Sequence, residues 1–141
     1  MPSFFFDTSA LVKHYIEEIG SDWVTGLVTQ PGARNYIASV TGVEMTAALA
    51  RRGLTQSLTW FETDFVNDYR RLALPESTLD LARQLARQHR LRGYDAIQLA
   101  SAITLAEALG KAQVEFICAD AELLVAARKS KLRTGDPNDH P

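Results

Sequence analysis

Short apolar runs alternate with amphipathic stretches along this chain. Three of the runs have the length of buried strands: Phe4–Phe6, Tyr36–Val40 and Val114–Ala119. Between them, apolar residues recur three and four positions apart, which is the periodicity of a helix with one buried face. A run that is apolar throughout is typical of a strand covered on both sides. The pattern therefore predicts a parallel sheet with helices on both of its faces.

The helix predicted from Asp95 to Leu109 is apolar on almost every side, which is typical of a central, buried helix. The other predicted helices follow Asp7, begin at Ser21, and cover Thr41–Arg51, Thr55–Arg71, Ser77–His89 and Asp120–Lys129. A short edge strand is expected at 132–134, and residues 135–141 are expected to form a loose tail. The predicted fold class is a single three-layer α/β/α domain over residues 1–141.

The composition is that of one globular domain. The chain has 141 residues, 46% of them apolar, and no run of the about 18–20 apolar residues that spans a bilayer. The N-terminus lacks a basic segment and reaches Asp7 early, so we expect no signal peptide and a cytoplasmic protein. The single Cys118 excludes an internal disulfide, and with only three His it leaves no Cys/His zinc site. A net charge of −2 alone argues against nucleic-acid binding.

Four carboxylates lie beside the apolar segments. Asp7 and Asp120 follow predicted strands, Glu44 lies in the helix after the second strand, and Asp95 begins the most apolar helix. The carboxyl ends of parallel strands meet at one edge of a sheet, where α/β proteins form their sites. Each acid alone also has a structural interpretation. An Asp before a helix caps it, and Thr41 with Glu44 matches a capping box.

Together, the four acids indicate a hard divalent cation. Clustered, partly buried carboxylates are unfavourable unless they are protonated or neutralised, and oxygen ligands without Cys or His favour Mg²⁺ or Mn²⁺. Such an ion activates a bound water and offsets charge on a phosphate, which suits phosphodiester hydrolysis. The chain contains no phosphate-binding G-x-x-x-x-G-K-[ST], no G-x-G-x-x-G and no G-x-S-x-G motif. The segment Asp7-Thr8-Ser9 also lacks the second Asp of an aspartyl-phosphate phosphatase.

The segments that contain these acids occur in a characteristic order. They are Phe6–Lys13, Ser39–Arg52, Gly93–Ala100 and Cys118–Ala127. Together they resemble the four motifs of the PIN-domain family, most closely those of the VapC-type toxins of bacterial toxin–antitoxin pairs. The resemblance extends from Phe4 to Pro137. Its one departure is Cys118, where the family usually has Ser or Thr, and this affects a supporting hydrogen bond rather than a carboxylate.

The resemblance implies a PIN-like domain with a short parallel sheet and an endoribonuclease activity that depends on Mg²⁺ or Mn²⁺. It implies RNA as the substrate and a cognate antitoxin as the inhibitory partner. Asp7 and Asp95 are implied as direct metal ligands. Glu44 and Asp120 complete the site, as ligands through water or by positioning the attacking water, and Ser9 is implied as a supporting donor. The implied reaction is attack by a metal-activated water, without the 2′-OH as nucleophile.

Two other functions stay open. A degenerate PIN module would bind RNA or protein without catalysis, although the presence of all four acids argues against it. A nuclease directed at DNA would use the same acids on another substrate.

Outside the four acids the chain is mildly basic, which is compatible with nucleic-acid binding. Without the four acids, 13 acidic residues remain against 15 basic ones. Arg83, Arg87 and Arg90 are spaced i, i+4 and i+7, so they share one face of a predicted helix. Such a stripe contacts RNA phosphates or is simply a solvated face.

One further stripe bears on protein partners. The helix predicted from Thr55 carries an apolar face formed by Leu58, Phe61 and Phe65, with Trp60 beside it. This face packs in the core, or it binds an antitoxin helix or a second copy of the chain in a homodimer.

Overall fold

The computed structural model describes residues 2–141, which form five parallel strands in one sheet. The strands are β1 (Ser3–Phe6), β2 (Arg34–Ala38), β3 (Arg70–Leu72), β4 (Val114–Ile117) and β5 (Arg133–Gly135). Their order across the sheet is β3-β2-β1-β4-β5, and every neighbouring pair is parallel. The chain therefore winds outward from the central strand β1, first to one side and then to the other. The parallel sheet predicted from the sequence is confirmed.

Helices precede or follow every strand. Within residues 2–141 they are α1 (Thr8–Leu11), α2 (Ser21–Val28), α3 (Ser39–Arg51), α4 (Thr55–Asn67), α5 (Glu76–His89), α6 (Gly93–Leu109) and α7 (Ala121–Lys129). Three short 3-10 turns cover Val12–His14, Lys111–Gln113 and Pro137–Asp139. None of the helices in this part of the chain, α6 included, is long and apolar enough to cross a membrane.

The side chains of β1 alternate between two cores. Phe5 packs in the core between the sheet and helices α5, α6 and α7. Phe4 and Phe6 point to the opposite face, where they pack with residues of α1, α2, α3 and α4. Because both faces of β1 are buried, its sequence is an uninterrupted apolar run. The predicted three-layer α/β/α architecture is confirmed.

Helix α6 is the buried helix that the sequence predicts, and it fixes the position of Asp95. Eight of its 17 residues are buried, and it packs along α5. Its C-terminal end is joined to the start of β4 by Gly110 and the short 3-10 turn Lys111–Gln113. The first turn of α6, which contains Asp95, therefore lies at the opposite edge of the sheet, where the parallel strands end. We call this edge the carboxyl edge.

The helix predicted over 55–71 is wrong at its C-terminal end. Helix α4 ends at Asn67, and Arg70–Leu72 pair with Tyr36–Ala38 as the edge strand β3. Apolar spacing does not distinguish a last helical turn from a three-residue strand. The strand forms because its backbone pairs with β2, which is distant in sequence.

The expectation of a loose tail over 135–141 also needs correction. Gly135 is the last residue of β5, and Pro137 is buried. The ring of His140 stacks on Trp23, with 4.1 Å between the ring centroids. The composition of this segment is typical of a loose tail. The segment is nevertheless ordered, because its partners are far away in the sequence.

Candidate active site

Asp7 and Asp120 reach the carboxyl edge as helix caps. Asp7 directly follows β1, and its Oδ2 accepts a hydrogen bond from the backbone N–H of Ser9 at 3.1 Å, at the start of α1. Asp120 lies three residues after β4, and its Oδ1 accepts from the N–H of Leu123 at 3.0 Å, at the start of α7. The capping interpretation is therefore correct for these two acids. It is compatible with ligation because each cap uses one carboxylate oxygen.

Glu44 and Asp95 are not explained by capping. Helix α3 begins at Ser39, so Glu44 lies in its second turn and the predicted capping box with Thr41 does not form. Asp95 lies in the first turn of α6, where Arg92 is the N-cap residue and no side chain caps the helix. Neither carboxylate therefore accepts a capping hydrogen bond from a helix N-terminus.

A network of buried and partly buried polar side chains holds Glu44. Its Oε1 accepts from Gln98 Nε2 at 3.0 Å and from Thr8 Oγ1 at 3.0 Å. Gln98 Nε2 also donates to Thr41 Oγ1 at 2.8 Å, and both Gln98 and Thr41 are completely or almost completely buried. The network connects α1, α3 and α6 around one carboxylate.

Thr8, Thr41 and Gln98 were not among the site residues predicted from the sequence. Two signals were available. Thr8 directly follows a candidate acid, and Gln98 is a polar residue one helical turn after Asp95 in a largely apolar helix. A buried amide needs hydrogen-bond partners, so its position predicts a polar neighbour.

Asp7 is the most buried of the four acids, with 4% of its surface exposed. Burial raises its pKa to about 6. The hydrogen bonds from Ser9 oppose this shift, and the charges of Asp95 and Glu44 add to it. Besides its backbone N–H, Ser9 donates its hydroxyl to Asp7 Oδ2, and that hydroxyl accepts from the N–H of Ala119 at 3.0 Å. Ser9 therefore connects the ends of β1 and β4.

Cys118 occupies the position where the related motif usually has Ser or Thr. Its Sγ lies 3.7 Å from Asp7 Oδ2 and 3.7 Å from the Ser9 hydroxyl oxygen. Burial raises the pKa of the thiol, and the charge of Asp7 adds to the shift, so Cys118 stays neutral. A neutral thiol is only a weak donor, and the hydroxyl of Ser9 supplies the stronger hydrogen bond to Asp7.

Arg92 connects the two remaining acids. Its Nε donates to Asp95 Oδ2 at 3.1 Å, and its Nη2 donates to Asp120 Oδ2 at 3.2 Å. The three arginines singled out in the sequence lie elsewhere on the surface. Arg83, Arg87 and Arg90 are all exposed, and Arg83 pairs with Asp80 of its own helix at 3.6 Å.

The chemistry of the acids fits a hard divalent cation. In residues 2–141, Asp7 Oδ1, Asp95 Oδ1 and Glu44 Oε2 accept no hydrogen bond, because the protein donors all contact the other oxygen of each group. In the arrangement described, no three Asp, Glu, His or Cys side chains of residues 2–141 come together as a ready metal-binding group. Arg92 donates to two of the four acids, Asp95 and Asp120.

Fold and site together define a parallel α/β domain with four acids at its carboxyl edge. The model of the PIN domain matches residues 4–109, and the chain belongs to the PIN-domain family. Two relatives from Mycobacterium tuberculosis are each 33% identical over 96% of this chain and 90% of their own length. They are ribonuclease VapC45 of strain CDC 1551 / Oshkosh and ribonuclease VapC49 of strain H37Rv. The resemblance to PIN-domain proteins of the VapC type is thereby confirmed.

Solved structures share the fold at low sequence identity. A toxin–antitoxin complex from Klebsiella pneumoniae aligns with a TM-score of 0.67 and 16% identity, over 94% of this chain and 96% of that one. VapBC2 from Rickettsia felis, bound to a promoter DNA fragment, aligns with a TM-score of 0.66 and 12% identity, over 95% and 98%. These similarities establish the architecture.

The burial of Asp7 makes stability depend on pH in metal-free buffer. The folded protein keeps this carboxyl protonated up to about pH 6, whereas the unfolded chain releases the proton near pH 3.8. The free energy of unfolding therefore falls as pH rises from about 4 to about 6, by about 3 kcal/mol from this group, and then levels off.

We expect Asp7→Asn to resemble the wild type near pH 4 and to be more stable by about 1–3 kcal/mol at pH 7.5 in EDTA. Urea unfolding followed by circular dichroism at both pH values measures the difference. Asp22→Asn, at an exposed first-turn acid of α2, is the control and should change the pH dependence by less than about 0.5 kcal/mol. An equal effect of Asp7→Asn at both pH values would contradict the raised pKa.

Proposed function

We propose that this protein is an endoribonuclease toxin of a toxin–antitoxin pair, and that it hydrolyses RNA phosphodiesters with the help of Mg²⁺ or Mn²⁺. The observation that carries the proposal is the position of Asp7, Glu44, Asp95 and Asp120 at one edge of a PIN-domain sheet. Similarity to proteins named ribonuclease VapC over 96% of the chain supports the substrate class.

The acids have different roles in the proposed reaction. Asp7 and Asp95 hold the cation directly, and Glu44 and Asp120 contribute through water. When bound, the cation lowers the pKa of a water and offsets charge that builds on the phosphate. Ser9 keeps the Asp7 carboxylate in place, and the buried amide of Gln98 fixes Glu44 so that its second oxygen can accept a hydrogen bond from the attacking water.

Substitution of the proposed ligands tests the reaction. We expect Asp7→Asn and Asp95→Asn each to reduce Mn²⁺-dependent RNA cleavage about 100-fold or more while circular dichroism shows a folded protein. Asp22→Asn should retain wild-type activity, because this exposed acid lies in α2 rather than at the site. EDTA should stop cleavage by the wild type, and excess Mn²⁺ should restore it.

Each outcome of that assay separates the proposal from its alternatives. Undiminished metal-dependent cleavage by both variants would refute the site. A wild type that binds RNA without cutting it would be a degenerate PIN module. Faster cleavage of single-stranded DNA than of RNA of the same sequence would identify a DNA-directed nuclease.

The arginine stripe is the proposed contact for RNA phosphates. Arg83 and Arg87 border one shallow surface depression together with Asp80 and Gln84, and Arg90 ends the same helix in a left-handed conformation. All three arginines are exposed, so their guanidinium groups can reach the phosphates of a nucleic acid without a change in the fold. Arginine suits this role because its planar group pairs well with phosphate oxygens.

In the inactive Asp7→Asn background, replacing all three arginines with Gln should weaken RNA binding. The slope of log K against log salt should shrink by up to about 2, since each lost phosphate contact removes about 0.7. The control changes Arg34 and Lys111 to Gln, because these exposed bases lie at the opposite edge of the sheet. An unchanged slope in the triple variant would assign the stripe to a solvated face.

The proposed antitoxin surface is an apolar groove between α3 and α4, with a volume of about 590 Å³. Its lining residues are Ser39, Gly42, Val43, Thr46, Ala47, Phe61, Glu62, Phe65 and Val66. The stripe predicted on α4 is divided. Phe61 is in the core, Leu58 and Phe65 are partly buried against it, and Trp60 is exposed. Val43 and Val66, which are 69% and 67% exposed, leave apolar surface for a partner helix.

We expect the double variant Val43→Asp and Val66→Asp to lose protection by the co-expressed antitoxin while it keeps RNA cleavage. Val125→Asp, at an exposed valine of α7 on the other face of the sheet, should remain protected. Light scattering of the antitoxin-free chain tests the homodimer proposal at the same face. A wild-type dimer that the double variant converts to a monomer would assign the groove to self-association, and full protection of the double variant would place the antitoxin elsewhere.

A further inference from the structure

Arg92 bridges two proposed site acids. Its side chain is 79% exposed, whereas the side chains of Asp95 and Asp120 are only 21% and 24% exposed. The guanidinium therefore enters from solvent and covers two largely shielded carboxylates. It comes from the N-cap position of α6, three residues before Asp95, with an extended backbone.

The geometry of the bridge matters for a cation. Two different nitrogen atoms of one planar group contact the Oδ2 atoms of two carboxylates from different elements. The guanidinium thus lies between Asp95 and Asp120 and supplies positive charge there. A divalent cation bound by Asp95 or Asp120 would interact with the same carboxylates as Arg92. The cation and the guanidinium would therefore compete for them.

The bridge is easily opened. Exposed ion pairs are weak and are screened by salt, and a long arginine side chain loses conformational freedom when it is held in one place. Within residues 2–141, the two acids are the only groups to which the Arg92 side chain donates. The two ion pairs of Arg92 are therefore weak enough for another cation to replace them.

We propose that Arg92 is an exchangeable counter-ion of the active site, which bridges Asp95 and Asp120 in the metal-free protein and leaves when a divalent cation binds. The inference rests on the proposed function because it requires the metal site. It adds that the affinity for the cation is set partly by a residue that is not itself a ligand. Arg92 is in this sense a positioning residue, which keeps the acids neutralised until the cation arrives.

Calorimetric titration of the full chain with MnCl₂, without RNA, tests the competition. Arg92→Gln removes the charge and both contacts, and we expect it to bind Mn²⁺ about three- to tenfold more tightly than the wild type, since each exposed ion pair accounts for at most about a fivefold factor. Arg92→Lys keeps the charge but loses the planar fork that reaches two carboxylates. It should bind Mn²⁺ about two- to fivefold more tightly.

Arg51→Gln is the matched control, because it removes an exposed arginine charge that does not contact the acids. It should change the affinity less than twofold. Circular dichroism verifies that each variant is folded. We expect the Arg92 variants to fold because the side chain is largely exposed. Equal affinities of Arg92→Lys and wild type would reduce the effect to net charge and overturn the inference, as would weaker binding by Arg92→Gln.

The failure of this inference is distinguishable from that of the proposed function. Wild-type binding of Mn²⁺ with no change in either Arg92 variant overturns the exchange alone and leaves the metal site intact. Absence of Mn²⁺ binding by the wild type overturns the metal site, and with it the role of Arg92.

Discussion

Carboxylates that lie at the end of a buried sheet carry an electrostatic cost, and this cost explains how the polar groups around them are arranged. Asp7 shows the cost most directly, because burial and neighbouring acids raise its pKa to about 6. The surrounding polar groups reduce that cost. Ser9 donates twice to Asp7, Gln98 and Thr8 hold Glu44, and the guanidinium of Arg92 lies between the other two acids. A divalent cation would perform the same neutralisation with greater charge density and add the chemistry of an activated water.

The topology determines which acid carries the greatest cost. β1 is the central strand, with β2 and β4 on either side and helices on both faces. The residue that follows it is therefore surrounded by protein on most sides, whereas Asp95 and Asp120 come from helix starts nearer to solvent. This difference places a strongly desolvated carboxylate next to more accessible ones.

The charge of the chain is also distributed unevenly between the site and the other residues. The chain has a net charge of −2, yet outside the four acids its bases outnumber its acidic residues, and 11 of its 15 bases are Arg. Four of the 17 acidic residues lie at the carboxyl edge, and the rest of the chain is mildly basic. The total charge of −2 is therefore compatible with a nucleic-acid substrate, because the acidic excess comes from the four acids of the site.

Much of this protein is determined by local sequence. The apolar run of β1 requires a strand buried on both faces, the composition of α6 requires a central helix, and the acids after β1 and β4 must lie at the carboxyl edge because parallel strands end there. Contacts between residues that are distant in sequence depend on the tertiary structure. The β3 strand, the packing of His140 on Trp23, the contact of Gln98 with Glu44 and the bridge of Arg92 to Asp120 all join residues far apart in the chain. Such contacts leave no periodic pattern in the sequence, because each depends on which elements the fold brings together.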